Sequence, residues 1–219
     1  MAYKGTRQWW NKRMPAKNDD LHGNVPDHAE VALLLIDVIN DLEFPGSEPL
    51  SEQVMAIAEN IAALKRHARQ VGIPVVYVND NFGKWQSDFS KLIAHCLQDD
   101  VRGRPLAQLL QPDQEDYFVL KPKHSGFFST TLDTLLVYLH TKTVILAGIA
   151  GNICVLFTAH DAFMRDFHLF IPADCIASNT PEENHYALEH MRTVLQANIM
   201  PSSEIDWHEL RRQAGSNKE

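Results

Sequence analysis

Short apolar runs alternate with stretches of helical periodicity along this chain. Residues 31–36, Val-Ala-Leu-Leu-Leu-Ile, form an unbroken apolar run that stops at Asp37, the pattern of a strand buried on both faces. After the Pro45-Gly46 turn, residues 50–71 place Val54, Ile57, Ile61 and Leu64 at helical spacing and stop at Gly72. Residues 74–79 predict a second strand. A long connection, 80–116, holds a predicted helix at 89–97 capped by Ser87 or Asp88. Residues 117–120 read as a third strand, 130–140 as a helix, 143–148 as a fourth strand and 152–165 as the next helix. A fifth strand at 168–171, a helix at 181–196 opening on Pro181 and a short sixth strand near 198–200 complete the series.

Strands separated by helices of this length predict right-handed βαβ units. The expected class is α/β: a doubly wound parallel sheet of five or six strands, with helices on both faces in three layers. At 219 residues the chain holds one full-sized core. That domain is expected over residues 31–210, after an N-terminal arm (1–30) and before a polar tail (211–219) expected to fray.

Composition narrows the partners. The chain is 45% hydrophobic and 22% charged, as in soluble globular proteins, and its net charge of −8 disfavours nucleic-acid and anionic-membrane partners. No apolar run nears the roughly 18 residues that span a bilayer. Three cysteines, Cys96, Cys154 and Cys175, argue against a disulfide framework and for a reducing compartment, so a cytoplasmic location is expected. The first 18 residues carry Lys4, Arg7, Lys12, Arg13 and Lys17 and no acid. Trp9-Trp10 and the lack of serine fit a transit peptide poorly; an arm whose tryptophans pack on the body or on another subunit is expected instead.

Three reactive side chains fall at predicted strand ends. Asp37 closes the first strand, Lys121 closes the third, and Cys154 opens the helix after the fourth. In doubly wound sheets the ligand crevice lies outside the carboxyl ends of the strands, where the strand order switches. At a helix start the unpaired amides and the dipole favour an anion, so the Cys154 thiol is expected to ionise more easily than usual. Each residue also has a plainer reading. Asp37 can cap the turn into Asn40-Asp41, Lys121 can be a solvated strand end, and Cys154 can be a small buried hydrophobe. All three at one sheet edge favour chemistry, provided the strand order brings them together.

The blocks around these residues resemble those of the isochorismatase-like cysteine hydrolases, a superfamily of nicotinamidases, N-carbamoylsarcosine and ureidoacrylate amidohydrolases, and isochorismatases. Leu34-Leu-Ile-Asp-Val-Ile-Asn-Asp-Leu is similar to the family's strand-Asp-x-x-Asn-Asp-Phe block. Leu120-Lys-Pro-Lys-His-Ser-Gly-Phe-Phe-Ser-Thr-Thr-Leu is similar to Lys-x-x-x-Ser-x-Phe with its Thr-x-Leu helix; Ser125 and Phe127 set the register, so the family lysine corresponds to Lys121 and not Lys123. Gly148-Ile-Ala-Gly-Asn-Ile-Cys-Val-Leu-Phe-Thr-Ala-His-Asp-Ala is similar to the cysteine block, and the likeness spans residues 31–177.

The resemblance implies a cofactor-free triad of Cys154, Asp37 and Lys121. Cys154 would attack a carbonyl carbon to form a thioester, Asp37 would take the thiol proton, return it to the leaving nitrogen and then activate water, and Lys121 would supply positive charge. It also implies an oxyanion hole from the backbone amides of Ala150 and Cys154, and a non-proline cis peptide at Ile149–Ala150. A small-molecule substrate and a homo-oligomer, dimer or tetramer, are further expectations from it.

Departures from the family pattern sharpen the expectation. Ile39 stands where the family usually has glutamine. Nicotinamidases carry an Asp-x-His…His metal site after the second strand, but this chain reads Asn79-Asp-Asn-Phe-Gly-Lys-Trp with no histidine before His95, so no metal site is expected. Phe82, Trp85 and Phe127 are the expected pocket walls. The eleven histidines are expected on the surface or in the core, and Cys96 and Cys175 in packing roles. Retention of Cys154 points to hydrolysis of an amide or carbamoyl C–N bond. Vinyl-ether hydrolysis by Asp37 acid catalysis and a non-catalytic scaffold that binds a metabolite or partner are the alternatives. A redox-sensing thiol is disfavoured, because no second cysteine lies nearby in sequence to resolve a sulfenate.

Overall fold

The computed structural model describes residues 29–83 and 88–216. Trp9-Trp10, with nearly all of the expected arm, and Ser87 and Trp85 lie outside the described residues. The middle layer is a sheet of β1 (Val31–Ile36), β2 (Val75–Asp80), β3 (Tyr117–Lys121), β4 (Thr143–Ile149), β5 (His168–Phe170) and β6 (Ile176–Ala177). Their order is β3-β2-β1-β4-β5, with β6 pairing β4, and every pairing is parallel. The described helices are α1 (Glu48–Gln70), α2 (Phe89–Cys96), α3 (Arg104–Leu109), α4 (Leu132–Tyr138), α5 (Leu156–Phe163), α6 (Pro181–Thr193) and α7 (Trp207–Ser216).

The unbroken apolar run of β1 follows from this layering. Val31, Leu33 and Leu35 pack with Val54, Ile61 and Leu64 of α1 and Leu106 of α3 on one face. Ala32, Leu34 and Ile36 pack with Leu136 of α4, Ala159 of α5 and Met191 of α6 on the other. A strand covered on both sides has no solvent face on which polar residues could alternate. From β1 the chain steps outward to β2 and β3, then returns to the opposite side of β1 as β4. The switch in strand order therefore lies between β1 and β4, and their carboxyl ends open the crevice.

Most boundaries shift by only one or two residues from the expected ones. Asp88 caps α2, accepting a hydrogen bond from Lys91 N at 3.2 Å. Three differences are larger. The long connection contains a second helix, α3, announced by Gly103-Arg-Pro. The sixth strand does not form near 198–200, where Asn198 makes an isolated bridge to Phe170. Instead β4 outruns β5, which pairs only Thr143 to Ile145, and the free edge at Gly148 and Ile149 takes Ile176 and Ala177. A further helix, α7, crosses the expected start of the tail and runs to Ser216; Asp206 caps it by accepting from Glu209 N at 2.9 Å, and Leu210 is buried in the core. Among the described residues no helix is long and apolar enough to cross a membrane.

Gly148 sets how closely the two crevice strands meet. It pairs with Ile36, has φ 122°, and a Cβ there would stand 2.1 Å from the Ile36 carbonyl oxygen. Both the backbone region and the space admit only glycine. Gly148→Ala is expected to lower the unfolding free energy by about 3 kcal/mol or more, as buried backbone clashes do; urea denaturation with an unchanged midpoint would refute this role.

Candidate active site

Three strand ends deliver the expected side chains to one point. Asp37 follows β1 directly, with φ 52°, a left-handed conformation that aspartate tolerates better than most residues. Lys121 ends β3 and pairs in register with Asp80 of β2. β3 lies two strands from β1, about 10 Å away at the usual spacing, so a long side chain is needed to close the gap. The Lys121 ammonium closes it, 2.9 Å from Asp37 Oδ2, 3.5 Å from Cys154 Sγ and 3.8 Å from Asp80 Oδ2. Asp37 Oδ1 accepts the Asp80 backbone N–H at 2.7 Å. Lys121 is fully buried and Asp37 is 5% exposed, whereas Cys154 is only partly buried. Lys121 is thus not a solvated strand end, and the Asp37 carboxylate bonds Asp80 and Lys121 rather than the turn into Asn40-Asp41.

Cys154 does not sit in the first turn of an α-helix, as expected, but in a π-helical turn, Gly151–Val155, ahead of α5. Val155 N donates to Ala150 O at 3.1 Å, the wider ring of that turn, a form that recurs at functional sites. The peptide Ile149–Ala150 is cis. Asn152 N donates to Ser178 Oγ at 3.0 Å, fastening the turn to the segment after β6. From the other side, the Thr158 hydroxyl donates to Cys154 O at 2.7 Å and accepts from Gly126 N at 3.0 Å. Ser125 donates to the Asp161 carboxylate and accepts from Phe127 N at 3.1 Å. The Ser-x-Phe pair of the lysine block thus ties the loop after β3 to the cysteine helix.

Burial dominates the electrostatics. It raises the Asp37 carboxyl above its usual range, an effect only partly offset by Lys121. It also pushes the Cys154 thiol up to about 12, with the Asp37 charge adding to the rise and Lys121 opposing it. This overturns the expectation of an easily ionised thiol: desolvation and a neighbouring carboxylate outweigh the helix start. Burial alone would lower Lys121, but the charges of Asp37, Cys154 and Asp80 reverse it and hold the amine above its ordinary value. Burial thus opposes ionisation of both the thiol and the carboxyl, and the Lys121 ammonium between them favours it.

The expected pocket walls separate. Phe82 is 38% exposed, its N–H donating to Asp80 Oδ1 at 2.5 Å. Phe127 is instead a core residue, 5% exposed, packed on Phe167 and under the Arg165 guanidinium. Cys96 and Cys175 are fully buried, in line with packing roles. Two residues beside these three side chains were not singled out by the sequence: Asp80, 3.8 Å from the Lys121 ammonium, and His124, whose Nδ1 lies 3.9 Å from Cys154 Sγ. His160 and His190 meet across α5 and α6 with their Nε2 atoms 3.0 Å apart. Among the described residues no three His, Cys, Asp or Glu side chains are grouped to hold a metal ion.

Residues 31–203 match the family model described as the isochorismatase domain. The chain is 45% identical over 177 residues to the uncharacterized isochorismatase family protein YaaI of Bacillus subtilis, covering 81% of this chain and 97% of that one. It is 30% identical to enterobactin synthase component B of Escherichia coli, over 78% of this chain, and spans 63% of that protein's length. The structure of N-carbamoylsarcosine amidase from Thermoplasma acidophilum superposes with a TM-score of 0.62 at 26% identity, covering 81% of this chain and 99% of that one.

Proposed function

This chain belongs to the isochorismatase family, and on that premise we propose that it is a hydrolase of a C–N bond in a small amide or carbamoyl/ureido compound. The observation that carries this reading is the Lys121 ammonium standing within 3.5 Å of both the Asp37 carboxylate and the Cys154 sulfur. The likeness to an N-carbamoylsarcosine amidase supports the bond type.

In the proposed reaction Asp37 takes the thiol proton as sulfur attacks the carbonyl carbon. A carboxyl raised toward the working pH is a better proton acceptor than an ordinary one, which matches the direction burial imposes on Asp37. The ammonium of Lys121 offsets the negative charge that passes between sulfur and carboxylate. The backbone amides of Ala150 and Cys154 receive the oxyanion. Collapse breaks the C–N bond, the nitrogen leaves with the proton held by Asp37, and the acyl group stays on sulfur as a thioester. Water then releases the acid.

A panel of small amides and ureido compounds, screened for ammonia release, tests the reading. A turned-over substrate, quenched with acid, is expected to leave its acyl group on the Cys154 peptide, visible by mass spectrometry. Ammonia release that needs neither Cys154 nor Asp37 would defeat the proposal.

A further inference from the structure

We propose that His124 is a further catalytic residue, the base that activates water in the deacylating half of the reaction; this rests on the thioester reading above. Its Nδ1 lies 3.9 Å from Cys154 Sγ. The other two groups at the sulfur lie on its buried side, Asp37 being 5% exposed and Lys121 fully buried. Asp37 faces inward, its Oδ1 accepting the Asp80 N–H at 2.7 Å and its Oδ2 lying 2.9 Å from Lys121. His124 is exposed, and its ring rests 5.5 Å, centroid to centroid, from that of Phe157, which is itself largely exposed. The imidazole is thus steadied on an aromatic side chain at the solvent side of the sulfur. A water approaching an acyl group on that sulfur meets His124 before it can reach Asp37.

The step balances without any further reactant. As the water oxygen bonds to the thioester carbon, its proton passes to the imidazole and the carbonyl π electrons move to oxygen. The tetrahedral intermediate reforms its carbonyl and breaks the C–S bond. The electron pair goes to sulfur, which regains a proton from the imidazolium, and the acid leaves with the thiol restored.

The probe p-nitrophenyl acetate separates the two halves, because p-nitrophenolate release reports acylation and the later linear rate reports deacylation. His124→Gln is expected to keep acetyl transfer to Cys154 and to lose about 10²-fold of the linear rate. Acetyl-enzyme then accumulates in the intact-protein mass spectrum, and added imidazole restores the linear rate of His124→Ala. Unchanged linear rates in both variants, with acetylation still dependent on Cys154, overturn the role of His124 alone. Absence of any Cys154-dependent acetyl adduct in the wild type and both variants overturns the thioester reading itself, and this step with it.

Discussion

Replacing Cys154 with alanine is expected to abolish hydrolysis, by about 10⁴-fold or more in kcat, while leaving the fold intact. The proposed covalent route needs the sulfur, and only binding and the oxyanion amides remain without it. The residue is only partly buried in its turn, so shortening it removes little packing. Cys154→Ser is expected to be nearly as inactive. The site already holds a thiol far above its ordinary pKa, up to about 12, and a hydroxyl in the same surroundings is a weaker acid still. Steady-state rates on a confirmed substrate, with circular dichroism as the control for folding, decide the matter. Full turnover by Cys154→Ala would remove the nucleophile and leave acid catalysis by Asp37, whose raised carboxyl suits it to hold a proton, as the reading to follow.

The second large effect concerns the buried ion pair, where activity and stability are expected to part. Asp37→Asn removes the proposed base, and a drop of about 10²–10⁴-fold in kcat is expected. It also leaves a fully buried ammonium with Asp80 at 3.8 Å as its nearest carboxylate. Stranding a buried charge costs about 3–5 kcal/mol in comparable cases, so the variant should also unfold at lower denaturant concentration. Lys121→Ala is expected to show the same loss of stability. It should also slow iodoacetamide alkylation of Cys154, because Lys121 is the group that opposes the upward shift of the thiol. The double replacement Asp37→Leu with Lys121→Met should recover much of the stability and none of the activity, since apolar pairs of similar volume often match or exceed buried ion pairs. A double variant as unstable as either single one would show that the pair stabilises the fold beyond what apolar packing supplies. In the wild type, kcat/KM should fall on the acid side as Asp37 becomes protonated. Its carboxyl is raised, so that limb should lie above the ordinary carboxylate range of about 3.9.

The sequence alone determined the class of fold and the ends of the strands. A run such as Val31 to Ile36 can be apolar throughout only where both faces are covered, which means a parallel sheet between helical layers. Polar or glycine residues that stop such runs mark where strands end, so Asp37, Lys121 and Cys154 could be set at carboxyl ends without coordinates. Local patterning also carried the helices, because periodicity and caps act within a few residues of each other. It lost α7 and the six-residue α3, and it misplaced the sixth strand, whose position depends on how far β4 extends past β5.

What tertiary structure decided is what depends on strand order and on burial. Lys121 reaches Asp37 only because β2 and β1 lie side by side, and Asp80 enters the site because β2 ends between them. His124, one of eleven histidines with nothing in its spacing to mark it, comes beside the sulfur because Gly126 and Ser125 are tied to Thr158 and Asp161 of α5. The state of the thiol reversed between the two levels. A helix start is a local feature and favours the anion, whereas desolvation comes from all the atoms the fold packs around the group, and it is the larger effect at Cys154.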